Sequence, residues 1–281
     1  MITGTRAQTT AGRLITYTLL IAGVAVVTLP FWYMAVTSLK SQAFIFEIPP
    51  KLWPSQPTIA NYVEALGKDQ FALYFLNSLI VATTTTVLTV GVSAMMAYAF
   101  ARLEFRGKEV IFYGLLLGMM IPPVMLIIPQ FIVAKHLHLL NSLYGLVLVY
   151  ITMNLAIQTF LLRGFFEGIP RSLEEAAIIE GAGRWTIFRR VALPLVRPGL
   201  AVVAIFTFLY AWDEFPWAHV AIKETSKRTL PIGIALFQSE HLTEWGQVFA
   251  ASIVAIVPVV VVFIVFQRYF IRGDVSSGMK G

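Results

Sequence analysis

Ser172-Leu173-Glu174-Glu175-Ala176-Ala177-Ile178-Ile179-Glu180-Gly181-Ala182-Gly183, continuing to Val191-Ala192-Leu193-Pro194 and Pro198, is the longest polar interruption in the C-terminal half of an otherwise apolar chain. Its Ala and Glu content favours helix, and its acids keep that helix out of lipid. Ser172 with Glu175 three residues later fits a capping box, each side chain meeting the other's backbone amide. A helix start at Ser172 is therefore predicted. Gly181 and Gly183 predict its end about two turns on. A second short helix is expected from Arg184 to Val191, closed by Pro194. The product is a helix-turn-helix knob outside the membrane.

Composition around the knob sets the class. With 58% hydrophobic and 13% charged residues in 281 and a mean hydropathy of +0.76, the chain carries more apolar surface than one soluble core takes up. Apolar runs at 14–37, 73–99, 109–134, 144–162, 199–218 and 248–271 are each about long enough to cross hydrocarbon. The first is read as a retained helix: a signal peptide has a shorter apolar region, and Thr28-Leu29-Pro30-Phe31-Trp32 is no small-residue cleavage site. The expected fold is an all-α polytopic membrane protein with six transmembrane helices and the knob between helices 4 and 5. Its parts are 1–72 (N-terminal segment, helix 1 and first external loop), 73–271 (the core, with the knob loop at 163–198) and a tail at 272–281.

Six spans put both termini on one side. Lys and Arg number 14 on the side of the termini and knob and 7 on the other, so the positive-inside rule makes the termini and knob cytoplasmic. The net charge of +6 lies at helix ends and forms no solvated basic face with stacking aromatics, which excludes nucleic-acid binding. The chain has no Cys, so neither disulfides nor thiolate metal sites contribute.

Within the apolar runs, polar groups stand out. Ser78, Ala82 and Thr86 give helix 2 a small-residue face suited to close packing. Pro122, Pro123 and Pro129 interrupt helix 3, either as a plain kink or as backbone lining a cavity. Tyr150, Asn154 and Gln158 share one face of helix 4, bonding to neighbouring helices or lining a path. Trp212-Asp213-Glu214-Phe215-Pro216-Trp217 ends helix 5; its two acids either face a cavity or cap the helix at an aromatic belt.

Catalytic signatures fail. Gly67-Lys68-Asp69 and Gly107-Lys108-Glu109 do not complete a phosphate-cradling Gly-x-x-x-x-Gly-Lys-Ser/Thr loop. His136, His138, His219 and His241 lack metal-ligand spacing, and no Gly-x-Ser-x-Gly elbow is present. No catalytic, cofactor-binding or metal-binding residue is assigned, and the chain is read as no enzyme.

Glu175-Ala176-Ala177, Gly181-Ala182, Phe188 and Leu193-Pro194 resemble the EAA loop of importer-type ATP-binding cassette permeases, with Glu180 where that family more often has Asp. Pro49-Pro50, Trp53-Pro54, Pro57-Thr58 and Asn61-Tyr62 resemble the first external segment of sugar-type permeases. The tail ending in Gly278, Lys280 and Gly281 resembles the ATPase-reaching tails of maltose-type permeases, and Trp212-Asp213-Glu214-Phe215 stands where the family commonly has Trp-Asn-Asp-Phe. The resemblance implies a permease subunit in the cytoplasmic (inner) membrane of a prokaryote. It further implies a second homologous permease subunit, two ATPase subunits holding ATP and Mg, and an external solute-binding protein. Glu174, Glu175, Ala176, Ala177, Glu180, Gly181, Ala182, Leu193 and Pro194 would couple to the ATPases. Tyr150, Asn154, Gln158, Tyr210, Trp212, Asp213, Glu214 and Trp217 are the expected pathway for an oligosaccharide or polyol, with aromatic faces such as Tyr210, Trp212 and Trp217 stacking on sugar rings. The competing readings are an ABC permease for a glycerophosphodiester or glycerol phosphate, an ion-coupled secondary transporter with Asp213 and Glu214 as proton sites, and a membrane-embedded enzyme using the same acids.

Overall fold

The computed structural model describes residues 10–45, 47–49, 51–67, 70–238 and 243–277, with backbone alone at 10, 11, 43 and 268–277. In chain order the helices are α1 (Thr10–Ser38), α2 (Ala60–Gly67), α3 (Phe71–Arg102), α4 (Lys108–Gly118), α5 (Ile127–His136), α6 (Leu143–Glu167), α7 (Arg171–Ile179), α8 (Arg184–Thr186), α9 (Leu193–Leu195), α10 (Arg197–Asp213), α11 (Pro216–Ala221), α12 (Leu230–Ala235) and α13 (Trp245–Ser277). Short 3₁₀ turns and one π turn lie between some of them. Four helices, α1, α3, α6 and α13, are long and apolar enough to cross a membrane; the number rises to six if two bent pairs, 108–136 and 184–213, each cross once.

The bends correct two expectations. Apolar run 109–134 is not one helix: α4 stops at Gly118, Pro123 opens a 3₁₀ turn to Leu126, and the path turns through 94° before α5. Adjacent prolines remove two consecutive amide donors, so the ladder cannot continue across them. The helix expected from 199 to 218 stops at Asp213, and Glu214 is extended. Pro216 has no amide to return to Trp212, and a new helix, α11, starts there.

Two compact units divide the chain. One comprises 1–68 with 236–254. Here Asn61 Nδ2 donates to the carbonyls of Ser38 and Lys40, both at 2.7 Å, satisfying backbone left open at the end of α1. Ser38 Oγ shares a 2.8 Å hydrogen bond with Tyr62 Oη. The proline-marked segment after α1 is thus folded onto its own helix, α2.

The other unit comprises 69–235 with 255–281. Its axis is α3, which packs chiefly on α6 and α10. Ser78, Ala82, Thr85, Thr89, Ser93 and Ala97 are all buried along α3, a small-residue stripe that lets helix backbones approach; Thr86 is half-buried at its margin. Part of the segment between apolar runs 199–218 and 248–271 is core: Leu230 and Ile232 are buried, Ser78 Oγ accepts from the Leu230 amide at 2.8 Å, and Asn77 Nδ2 donates to the carbonyls of Ser226 and Arg228. Asn141 accepts from the amides of Lys223 and Glu224, and hydrogen bonds from Lys227 and Ser226 hold the Glu224 carboxyl below its ordinary range.

Gly199, at the start of α10, lies against Phe165 so closely that a Cβ there would fall 2.6 Å from the ring. Gly199→Val must displace that ring, and an overpacking cost of about 1–3 kcal/mol is expected. Thermal unfolding of the detergent-purified protein should show a lowered midpoint, whereas Gly164→Val, with open space around its Cβ position, should show a much smaller shift.

Candidate functional site: a polar knob and a buried-acid cavity

Pro170 occupies the N-cap position of α7, and no side chain caps the helix. The expected capping box is therefore absent. Proline's fixed φ suits the entry to a helix, so the helix begins at Arg171 and Ser172 falls inside its first turn. The other end follows expectation: Gly181 adopts φ +83°, and the Gly181 and Ala182 amides bond back to Ile178 and Ala177, a Schellman closure. Beyond the turn, the second helix differs from the plan. Its single turn α8 widens into a π turn over Ile187–Ala192, and Pro194 lies in the first turn of α9 without ending the path. Pro194 supplies no amide for the carbonyl four residues back, and the widened turn accommodates it.

The two neighbouring acids of α7 face opposite ways. Glu174 Oε1 lies 2.9 Å from Arg102 Nε, with side chains 14% and 6% exposed respectively. The same guanidinium donates to the carbonyls of Phe166 (2.7 Å) and Ile169. Tyr98 Oη stands 3.5 Å from Glu174 Oε2. Arg102 thus joins the end of α3, the carbonyls closing α6 and the first turn of α7. Glu174, expected to reach a partner, is turned inward. Glu175, Ala176, Glu180 and Gly181 are exposed, Ala177, Ala182, Leu193 and Pro194 half-buried, and Ile178, Ile179 and Trp185 add exposed apolar surface. Gly278, Lys280 and Gly281 lie outside the described residues.

Six of the eight expected pathway residues line one open-sided cavity of about 830 Å³: Asn154, Gln158, Tyr210, Asp213, Glu214 and Trp217. Tyr150 stands behind the wall, its hydroxyl donating to Glu214 Oε2 at 2.5 Å. Trp212 does not line the cavity. It is buried between Phe75 and Phe208 and donates to the Ala255 carbonyl. Pro123, Val124 and Ile127 are also in the wall, so the break between α4 and α5 borders the cavity. The double proline was the signal for them, but proline alone does not separate a lining break from a plain kink.

The acids divide here as they do on α7. Glu214 accepts from Tyr150 and from the amides of Trp217 (2.7 Å) and Ala218 (3.0 Å), which open α11. Asp213 is exposed and makes no hydrogen bond or ion pair among the described residues. Gln158 Oε1 and Trp217 Nε1, on side chains 3% and 1% exposed, have no partner either. Among the described residues no cluster of three potential metal ligands occurs. Asp213, the unengaged acid of a largely apolar-walled space, can accept hydrogen bonds from a polar, uncharged or cationic solute; among the described residues that line the space no nucleophile and base are brought together.

Comparison with known proteins adds family-level findings. Residues 89–273 match the model of the "Binding-protein-dependent transport system inner membrane component" family. The sulfoquinovosyl glycerol transport system permease protein SmoH of Agrobacterium fabrum is 38% identical over 252 residues, covering 90% of this chain and 88% of that protein. The diacetylchitobiose uptake system permease protein NgcG of Streptomyces coelicolor is 38% identical over 266 residues, covering 94% and 87%. A bacterial ABC transporter involved in import of the acidic polysaccharide alginate contains a chain of similar structure, with TM-score 0.76, 25% identity and coverage of 92% and 95%.

Two comparisons test the division of acids. Arg102→Met leaves Glu174 without its cation and is expected to cost about 3–5 kcal/mol, of which a second change, Glu174→Met, recovers a large part; thermal unfolding of both variants measures this. Glu214→Ala leaves two amides and a phenol without their acceptor and should cost about 1.5–3 kcal/mol, while Asp213→Ala should leave the unfolding midpoint nearly unchanged.

Proposed function

This chain belongs to the family of inner membrane components of binding-protein-dependent transport systems, and from that premise we propose that it carries a carbohydrate inward through the 830 Å³ cavity, driven by ATPase subunits docked on α7. It is a multi-pass permease component and not a catalyst. The observation that carries the ATPase part of the reading is the two-faced α7: Glu174 tied inward by Arg102, Glu175 and Ile179 held outward. A helix fixed to two membrane helices and presenting an acid with apolar neighbours suits transmission of a partner's movement.

The assembly that follows has a second homologous permease subunit, two ATPases binding ATP and Mg, and an external solute-binding protein; the family's own description names binding-protein dependence. Both termini and the knob are placed in the cytoplasm, supported by 14 basic residues on that side against 7. Six spans, counting each bent pair as one crossing, agree with that placement. Glu175, Ala176, Glu180 and the half-buried Leu193 and Pro194 form the ATPase contact, with Glu174 as its internal anchor. The carbohydrate reading draws on the solutes named for the relatives, on a cavity within the roughly 300–1,000 Å³ of small-molecule sites, and on its sparse polar groups beside Tyr210.

Since α7 has no capping box, Glu175→Gln and Glu175→Ala both test contact with the ATPase. In the reconstituted complex each, combined with Ile179→Ala, should lower ATP-driven solute uptake at least about tenfold, the loss of roughly 1.4 kcal/mol at a contact. The chain should remain in the membrane and fold as before. Uptake that persists after the ATPase subunits are omitted would overturn the reading in favour of ion coupling.

A further inference from the structure

The cavity's unpaired groups are unevenly distributed in chemistry. Asp213 presents an exposed carboxylate, an acceptor, to the cavity, whereas Gln158 Oε1 and Trp217 Nε1, though unpaired, are buried behind its surface. Of the two acids in the wall, Glu214 is fully engaged by Tyr150 and the first amides of α11, which leaves Asp213 as the acid open to a solute. No Lys, Arg or His is among the described residues that line the cavity. The walls are otherwise apolar, including Val124, Ile127 and Ile157.

Two physical consequences act together. A solute seated against Asp213 must bring donors to its carboxylate, because covering that acceptor without a donor is costly. Hydroxyls and ammonium groups supply donors; carboxylate, sulfonate and phosphate groups supply acceptors alone at neutral pH. Charge adds to the mismatch, since like charges near low-dielectric walls repel much more than they do in water. We propose that this cavity is a binding site for neutral or amino-bearing carbohydrate, and that Asp213 is the residue that sets its charge specificity by disfavouring anionic sugars. The proposal rests on the carbohydrate reading above and narrows it. It sets this chain's solute apart from the acidic polysaccharide named for one structural relative and from the sulfonate-bearing solute named for one sequence relative, and disfavours the glycerol phosphate alternative.

The absence of Cys permits a direct test in the assembled transporter, with partner subunits freed of cysteine. Ile157→Cys places a thiol in the cavity wall. Its rates with a trimethylammonium-bearing and a sulfonate-bearing methanethiosulfonate are compared, taking a small thiol in solution as reference. The cation-over-anion ratio should exceed the reference about tenfold, fall to near the reference with Asp213→Asn, and invert with Asp213→Lys. A ratio equal to the reference, or one unmoved by Asp213→Asn, overturns the assignment to Asp213. Protection of the same thiol then probes the solute. N,N′-diacetylchitobiose and chitobiose should slow labelling, and a uronic-acid disaccharide should do so only with Asp213→Lys. Equal protection of the unaltered Asp213 cavity by the acidic disaccharide refutes the charge specificity. If the charged reagents discriminate as expected but no sugar protects, the carbohydrate reading fails and the electrostatic assignment to Asp213 stands.

Discussion

Arg102 is the residue on which the architecture of the knob end depends. One guanidinium meets the carboxylate of Glu174 and the carbonyls of Phe166 and Ile169, tying the end of α3 to the end of α6 and the first turn of α7. A planar donor fork can serve several acceptors at once, which a lysine's point charge does poorly. The helix end of α6 needs acceptors' partners, α7 needs an anchor, and α3 needs a terminus; a single side chain answers all three. Around it Tyr98, Phe166 and Phe188 pack as a buried aromatic cluster, which excludes water and strengthens the pair.

Under the proposed function this clamp has a mechanical meaning. Gln158 in the cavity and Phe166 at the clamp lie on the same unbroken helix, eight residues and therefore about 12 Å apart. A displacement of α7 is delivered to the end of α6 through hydrogen bonds to backbone, without a flexible side chain of α6 in between. Another part of the cavity's wall comes from the break between α4 and α5, which is not held by the clamp. One wall tied to the knob and one wall hinged at prolines is an arrangement that can open and close by relative movement of rigid pieces.

Much of this was legible in the sequence, for identifiable reasons. Apolar run length located the four helices long and apolar enough to cross a membrane, α1, α3, α6 and α13, since lipid imposes a minimum. Spacing of four put Asn154 and Gln158 together on α6, because the helical period is fixed. Gly181 gave the end of α7, because a left-handed residue there favours glycine. Other features depended on distance in the chain. Arg102 stands between two apolar runs with nothing local to mark its role, because its partners lie more than 60 positions away. Ser172 and Glu175 matched a capping pattern, but Pro170 began the helix earlier than the pattern required. Trp212 shared a motif with Trp217, yet a helix end between them sent one indole toward Phe75 and the other to the cavity wall.

The same helix end explains why two adjacent acids are not equivalent. Pro216 cannot return a hydrogen bond to Trp212, so α10 stops and α11 begins within three residues. A new helix exposes its first amides, and these need an acceptor close at hand. Glu214, extended and with one methylene more than Asp, reaches the amides of Trp217 and Ala218 and still accepts from Tyr150. Asp213 is the last residue of α10 and shorter, and it is not drawn into that network. Replacing Pro216 with a residue that let the helix run on would remove the demand on Glu214, and with it the reason that one acid is engaged and the other faces the cavity. The division of labour between the two carboxylates thus follows from a missing amide hydrogen.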